Sequence, residues 1–331
     1  MRAKAAVSKF YAGIGRTLPP RWHPTHFAQL CVFGLLVAAS TFSLRANSPA
    51  TGFSFGISTH LFTDVNETDA RAALKVWLKH MSDDRGIAGD PVINVLTSPA
   101  EFIGAFQSGL IEGATLPTVD LWHVQKSVPI WPTIIVGRLG SSLYQEYLLI
   151  VHHDSAVRGI ADLQGRQLLV VGSTRGSLAE VWIEVELLKS GLGPADAFWS
   201  KVVPAGKLTR VAYPVFFKQA DACIVTAEGY LTLCELNPQI GRQLKIIARS
   251  PPLVAAPFCF SAAASTGYRE RVLSNIPYLN TVTGGRQALA LFQTSELVTR
   301  PIGDLDETFR LIEEHQQLRA ATLPSPTKEA R

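Results

Sequence analysis

The sequence predicts an α/β fold built as two lobes around mostly parallel sheets. Three observations predict it. From Phe53 onward, short apolar runs alternate with amphipathic segments, the pattern of strands feeding covering helices. The 331 residues exceed one ordinary domain, and a 47% hydrophobic composition supplies a large core. A changeover near Leu139 separates one complete α/β block from the next.

The chain opens on a basic leader. Six of the 31 basic residues and none of the 27 acidic ones fall in residues 1–46, so the remaining body carries a net charge of about −2. The alkaline balance belongs to the leader, and a nucleic-acid partner is not expected. "FAQLCVFGLLVAASTFSL", from Phe27 to Leu44, is uncharged and ends at Arg45. Residues 1–50 therefore read as a signal peptide or an N-terminal membrane anchor. The stretch is longer than most signal cores and shorter than the roughly 20 residues of a membrane span, so cleavage and retention both stay open. Either outcome exports the body, with membrane contact only through this segment.

In the first block "FSFGI" reads as a strand and "NETDARAALKVWLKHM" as a helix whose apolar face carries Leu74, Trp77, Leu78 and Met81. "PVINVL" is the next strand. "SPAEFIGAFQSGL" follows, with Ser98 as N-cap, Pro99 at the first helical position and Glu101 closing a capping box. "GATLP" reads as a strand, "TVDLWHVQ" as a short helix and "WPTIIVG" as a strand. In the second block "EYLLIVHH" and "LLVVG" are strands, and the helix "LAEVWIEVELLKS" stops at Gly191. "KVVPA", a helix over "LTRVAYPVFFKQ" and the strand "DACIV" follow, with another helix from about Ala227. "LKIIARS" and "PFCFSAA" look like returning strands, and three helical segments close the chain. The last residues, 321–331, are expected to be a disordered tail.

The chemistry concentrates in "VVGSTRGSLAEVW". A strand running through a glycine-containing turn into a helix presents free backbone N–H groups and the positive end of the helix dipole, which suits an anion. Ser173, Thr174 and Ser177 can add hydroxyl donors, and Gly176 lets the backbone approach a ligand closely. The same residues can also do no more than cap the helix. Arg175 can hold a carboxylate or phosphonate with two hydrogen bonds, whereas Lys207 acts as a point charge. Thr59 after the first strand and Thr118 with Asp120 after "ATLP" are the first-block loop residues placed to reach a ligand; Asp120 also fits an ordinary first-turn acid. His152 and His153 do not suggest a metal, because neighbouring strand residues point to opposite faces. Cys223, Cys234 and Cys259 read as unpaired thiols. No metal and no cofactor is expected.

Four segments in order, "FQSGLIEGATLP", "YLLIVHHDSAVRGIADLQGRQLLV", "VGSTRGSLAEVW" and "AGKLTRVAYPVFFKQADACIV", resemble the periplasmic substrate-binding proteins of ABC transporters, in particular the phosphate, phosphite and phosphonate branch. The likeness spans about residues 53 to 318. It implies the type II periplasmic-binding-protein fold: a first lobe over 51–146 and 244–320, a second over 147–243, and two crossing strands near Tyr147 to Val151 and Leu244 to Phe260. It places Ser173, Thr174, Arg175, Gly176 and Ser177 on the family's anion loop, with Arg175 in place of its second serine. Lys207 stands where such proteins usually carry a histidine, and Glu228 where an acid can face an amino group on the ligand or cap the following helix.

The implied function is capture of a small anionic ligand, such as a phosphonate or phosphate-like ion, and delivery to an ABC transporter permease with a separate ATPase, by a monomer. The alternative is an anchored sensory protein. No G-x-S-x-G, H-E-x-x-H, G-x-x-x-x-G-K-[ST] or G-x-G-x-x-G motif supports an enzyme.

Overall fold

A computed structural model describes residues 54–62, 67–84, 91–138, 140, 142–172, 177–291 and 294–322. The apolar segment Phe27 to Leu44, Ser173 to Gly176 and the tail from 323 lie outside the described residues. Among those described, no helix is long and apolar enough to cross a membrane.

The first block runs β1 (Ser54–Ser58), α1 (Glu67–Asp84), β2 (Val92–Leu96), α2 (Pro99–Gln107), β3 (Gly113–Thr115), α3 (Thr118–Val124) and β4 (Thr133–Arg138). The second runs β5 (Tyr147–His152), β6 (Gln167–Val171), α4 (Ser177–Lys189), α5 (Ala195–Phe198), β7 (Lys201–Ala205), α6 (Leu208–Phe216), β8 (Ala222–Thr226), α7 (Ala227–Leu236), α8 (Pro238–Gln243) and β9 (Leu244–Arg249). The chain closes with β10 (Phe258–Phe260), α9 (Thr266–Thr281), α10 (Thr283–Leu291), β11 (Glu296–Pro301) and α11 (Asp306–Thr322).

Two sheets result, in the orders β11-β4-β10-β3-β1-β2 and β7-β6-β8-β5-β9. Both are mixed and flanked by helices, the two-lobed type II arrangement. In the first, β1 pairs in parallel with β2 and β3, while β10 and β11 return antiparallel. In the second, β6 pairs in parallel with β7 and β8, and β5 runs against β8 and β9. β5 and β10, each entered by a direct crossing, run against strands β1–β4 and β6–β8 of their sheets, and β11, although it follows α10, runs the same way as β10. β9 still pairs with β5, so the chain passes back to the first sheet between Ser250 and β10. β11, which lies between the last two helical segments of the chain, is an edge strand on β4.

Local chemistry explains the element starts. The Ser98 side chain accepts from Glu101 N at 3.4 Å, with Pro99 behind it, as expected. The Glu101 carboxylate reaches one residue further back than a capping box requires, accepting from Thr97 N at 2.8 Å and Thr97 Oγ1 at 2.6 Å. Apolar side chains cover both faces of each sheet. Leu74, Leu78, Tyr268 and Ile276 pack on one face of the first, Phe102, Phe106 and Leu121 on the other. In the second, Trp182 and Ile183 of α4 cover one face, and Val211, Val215 and Leu233 cover the other.

The two passages between the sheets are fastened together. Gln145 N donates to Leu253 O at 2.7 Å and Leu253 N returns to Gln145 O at 2.9 Å. Cys223 and Cys259 are buried free thiols and Cys234 is a half-buried one.

Candidate functional site

Because β6, β7 and β8 are parallel neighbours, their C-terminal ends share one edge of the second sheet, and each leads into a helix N terminus: α4, α6 and α7. Gly172, just past β6, donates to Ala205 O at 3.0 Å. A Cβ there would lie 2.9 Å from Pro204 Cβ and 3.3 Å from Ala205 N, so only glycine lets β6 end this close to β7. The loop of Ser173, Thr174, Arg175 and Gly176 leaves from this point, outside the described residues, and re-enters at Ser177, the first residue of α4.

Lys207 lies beside that exit, at the N-cap of α6, exposed and without a side-chain capping bond. No carboxylate pairs with it among the described residues. The N-cap of α7 is Thr226, whose Oγ1 accepts from Gly229 N at 3.1 Å. Glu228 is therefore not the cap. Its carboxylate lies against the first passage between the sheets, where a Cβ on Gly140, at φ +54°, would be 2.0 Å from Glu228 Oε1.

On the first sheet, β1 and β3 are also parallel neighbours, and their C-terminal ends bring Thr59 and Asp120 to one edge. Thr59 opens a 3-10 turn directly after β1. Asp120 lies in the first turn of α3, with His60 Nδ1 3.5 Å from its Oδ2. Burial raises the Asp120 carboxyl above its ordinary pKa, and the nearby His60 and His123 oppose that rise. His60 is not singled out by the sequence, since its neighbour is 60 residues away and only the β1–β3 pairing joins them.

Thr118, expected with Asp120 to reach a ligand, hydrogen-bonds to the second passage between the sheets. It is fully buried; Oγ1 donates to Val254 O at 2.5 Å and N donates to Ala255 O at 2.8 Å. These bonds fix the second passage to the first sheet.

His152 and His153 depart from the strand-alternation argument. β5 ends at His152, so His153 sits in the following turn, and both line one groove of about 430 Å³ at the far end of the second sheet. Among the described residues no group of His, Cys, Asp and Glu could hold a metal ion. Trp182 and Trp199 are core residues.

A family model described as "ABC transporter, phosphonate, periplasmic substrate-binding protein" matches residues 61–299. No curated protein sequence matches significantly. Among solved structures, XAC2383 from Xanthomonas citri, bound to ATP, is similar with a TM-score of 0.59 at 16% identity, covering 82% of this chain and 98% of that one. The binding component of an ABC phosphonate transporter from Pseudomonas aeruginosa gives 0.54 at 18% identity, covering 84% and 90%. PhnD1 from Prochlorococcus marinus, in complex with methylphosphonate, gives 0.53 at 13% identity, covering 83% and 100%. At these identities the likeness is one of fold.

Proposed function

The chain belongs to the periplasmic, phosphonate-type substrate-binding proteins of ABC transporters, and from that premise we propose that it captures a small anion between its lobes and hands it to a permease driven by a separate ATPase. One observation carries this reading. Three helix N termini gather on one sheet edge, and Lys207, with no carboxylate partner among the described residues, stands among them. Each N terminus presents the positive end of a helix dipole, and that of α6, which has no side-chain cap, leaves N–H donors for an anion.

The proposed contacts are the loop from Ser173 to Ser177, with Arg175 as the bidentate group, then Lys207 and Glu228. From the first lobe Thr59 and Asp120 are the proposed contacts, and Thr118 holds the passage between the lobes. The ligand class is a phosphonate, a phosphate-like ion or a related organic anion; Glu228 adds a place for an amine on the same ligand. Capture takes place outside the cytoplasmic membrane and involves no turnover.

Titration calorimetry with methylphosphonate, inorganic phosphate, methanesulfonate and acetate tests this. At least one anion binds with one-to-one stoichiometry, and Lys207→Ala weakens it about 10- to 100-fold, the loss of a charge-assisted hydrogen bond of about 1.5–3 kcal/mol at an exposed position. Absence of binding by every anion, or equal affinity in the variant, overturns the proposal.

A further inference from the structure

The geometry points to a second ligand site, for an aromatic carboxylate, in the groove at the far end of the second sheet. It is independent of the anion site proposed above. β5 separates the two: Tyr147 pairs with Thr226 at the candidate edge, and His152 lies about 17 Å further along at 3.4 Å per residue.

The groove holds about 430 Å³, within the range of small-molecule sites. Its charges are unbalanced. Lys218 Nζ donates to Asp154 Oδ2 at 2.8 Å, which neutralises the one acid of the lining. Arg242, on the same lining, has no carboxylate partner among the described residues and is free to take one in two parallel hydrogen bonds.

His152, on the same lining, has a set tautomer. Asp154 N donates to His152 Nδ1 at 3.1 Å, so the neutral ring carries its proton on Nε2. Burial and the neighbouring Lys218 both lower its pKa, Asp154 opposes them, and His153 adds to the lowering.

The apolar half of the site is Phe217, 61% exposed although it is a large aromatic side chain. It stands edge-on to Phe216, with ring centroids 5.0 Å apart, so its orientation is set by packing. A flat ring laid on Phe217 would remove apolar surface from water while its carboxylate meets Arg242. A bare inorganic anion would use only the second of these.

Imidazole signals of His152 and His153 in the full chain, followed by NMR during titration with benzoate and, separately, inorganic phosphate, test the site. Benzoate gives saturable shifts at both rings, and phosphate at the same concentrations gives none. Arg242→Ala and Phe217→Ala, both at exposed positions, each weaken benzoate at least about tenfold, roughly the worth of one such contact, and Lys207→Ala leaves it unchanged. The proposal fails if benzoate produces no saturable shift, if phosphate matches it, or if neither groove variant weakens it.

Discussion

Replacing Thr118 with valine separates a pin that holds the lobe passage from a contact that holds ligand. The side chain is fully buried, and its Oγ1 donates to Val254 O at 2.5 Å. Valine keeps the volume and the main-chain bond to Ala255 but removes the hydroxyl. Val254 O then loses a donor where water does not reach, which costs about 1–3 kcal/mol. Each kcal/mol lowers Tm by about 2–4 °C in a chain of this class, so a fall of roughly 2–12 °C is expected. Thermal unfolding by circular dichroism measures it, and calorimetric titration with the anion that binds best measures affinity. Affinity should change less than Tm implies, and Thr118→Ser, which keeps the hydroxyl, should recover most of the stability. An unchanged Tm with lost affinity would refute the pin and return Thr118 to the ligand.

Asp120 offers a pH test. Its carboxyl pKa is raised by burial, so the native state holds that proton more tightly than the unfolded chain; the favourable contribution belongs to low pH and is lost as pH rises through the raised value. Asp120→Asn therefore melts above the parent at pH 7, with a gap that closes towards pH 4; a gap that widens on acidification contradicts the cause assigned. Burial pushes the Cys223 and Cys259 thiols up to about 12, whereas Cys234 is half-buried, so native alkylation at pH 8 with mass mapping labels Cys234 first of the three. Gly140→Ala meets two penalties, a left-handed backbone at φ +54° costing about 1–2 kcal/mol and a Cβ 2.0 Å from Glu228 Oε1. Adding Glu228→Ala should recover the second penalty and not the first, as a double-mutant cycle in denaturant would show.

Contiguous signals were legible in the sequence. Ser98, Pro99 and Glu101 specify the start of α2 within four residues, and Gly172 followed by hydroxyl residues and a helix marks the end of β6. Signals that depend on where a strand stops, or on what lies beside it, were not. Alternation sends His152 and His153 to opposite faces only while the strand continues, and β5 ends between them. Thr118 sits at a strand end like a ligand contact, but its hydroxyl partner is 136 residues away, on the second passage. β11 is half-exposed and lacks a buried alternating face, and only pairing with β4 distinguishes it from a loop.

These placements together fix how each passage between the lobes is held. On one side of the Gln145–Leu253 bridge the passages are tied to the second sheet: Tyr147 N donates to Ser250 Oγ at 2.8 Å, Ser250 N to Tyr147 O at 2.9 Å, and Ala227 N to Glu146 O at 2.9 Å. On the other side Val254 is tied to the first sheet by Thr118 and, through its N–H, to Thr308 Oγ1 at 2.9 Å. Between these anchors the second passage has Pro251 and Pro252, whose φ angles are fixed by their rings. The first passage has Gly140, already left-handed and with no side chain to resist rotation. Any rotation of one lobe against the other would therefore fall mainly on the glycine passage, with the proline passage as the stiffer rail. Glu228 rests on that glycine, so a ligand that moved its carboxylate would act on the compliant passage directly. A ligand shifts the balance of open and closed forms only by its differential affinity for them, and this contact is where the candidate site meets that balance.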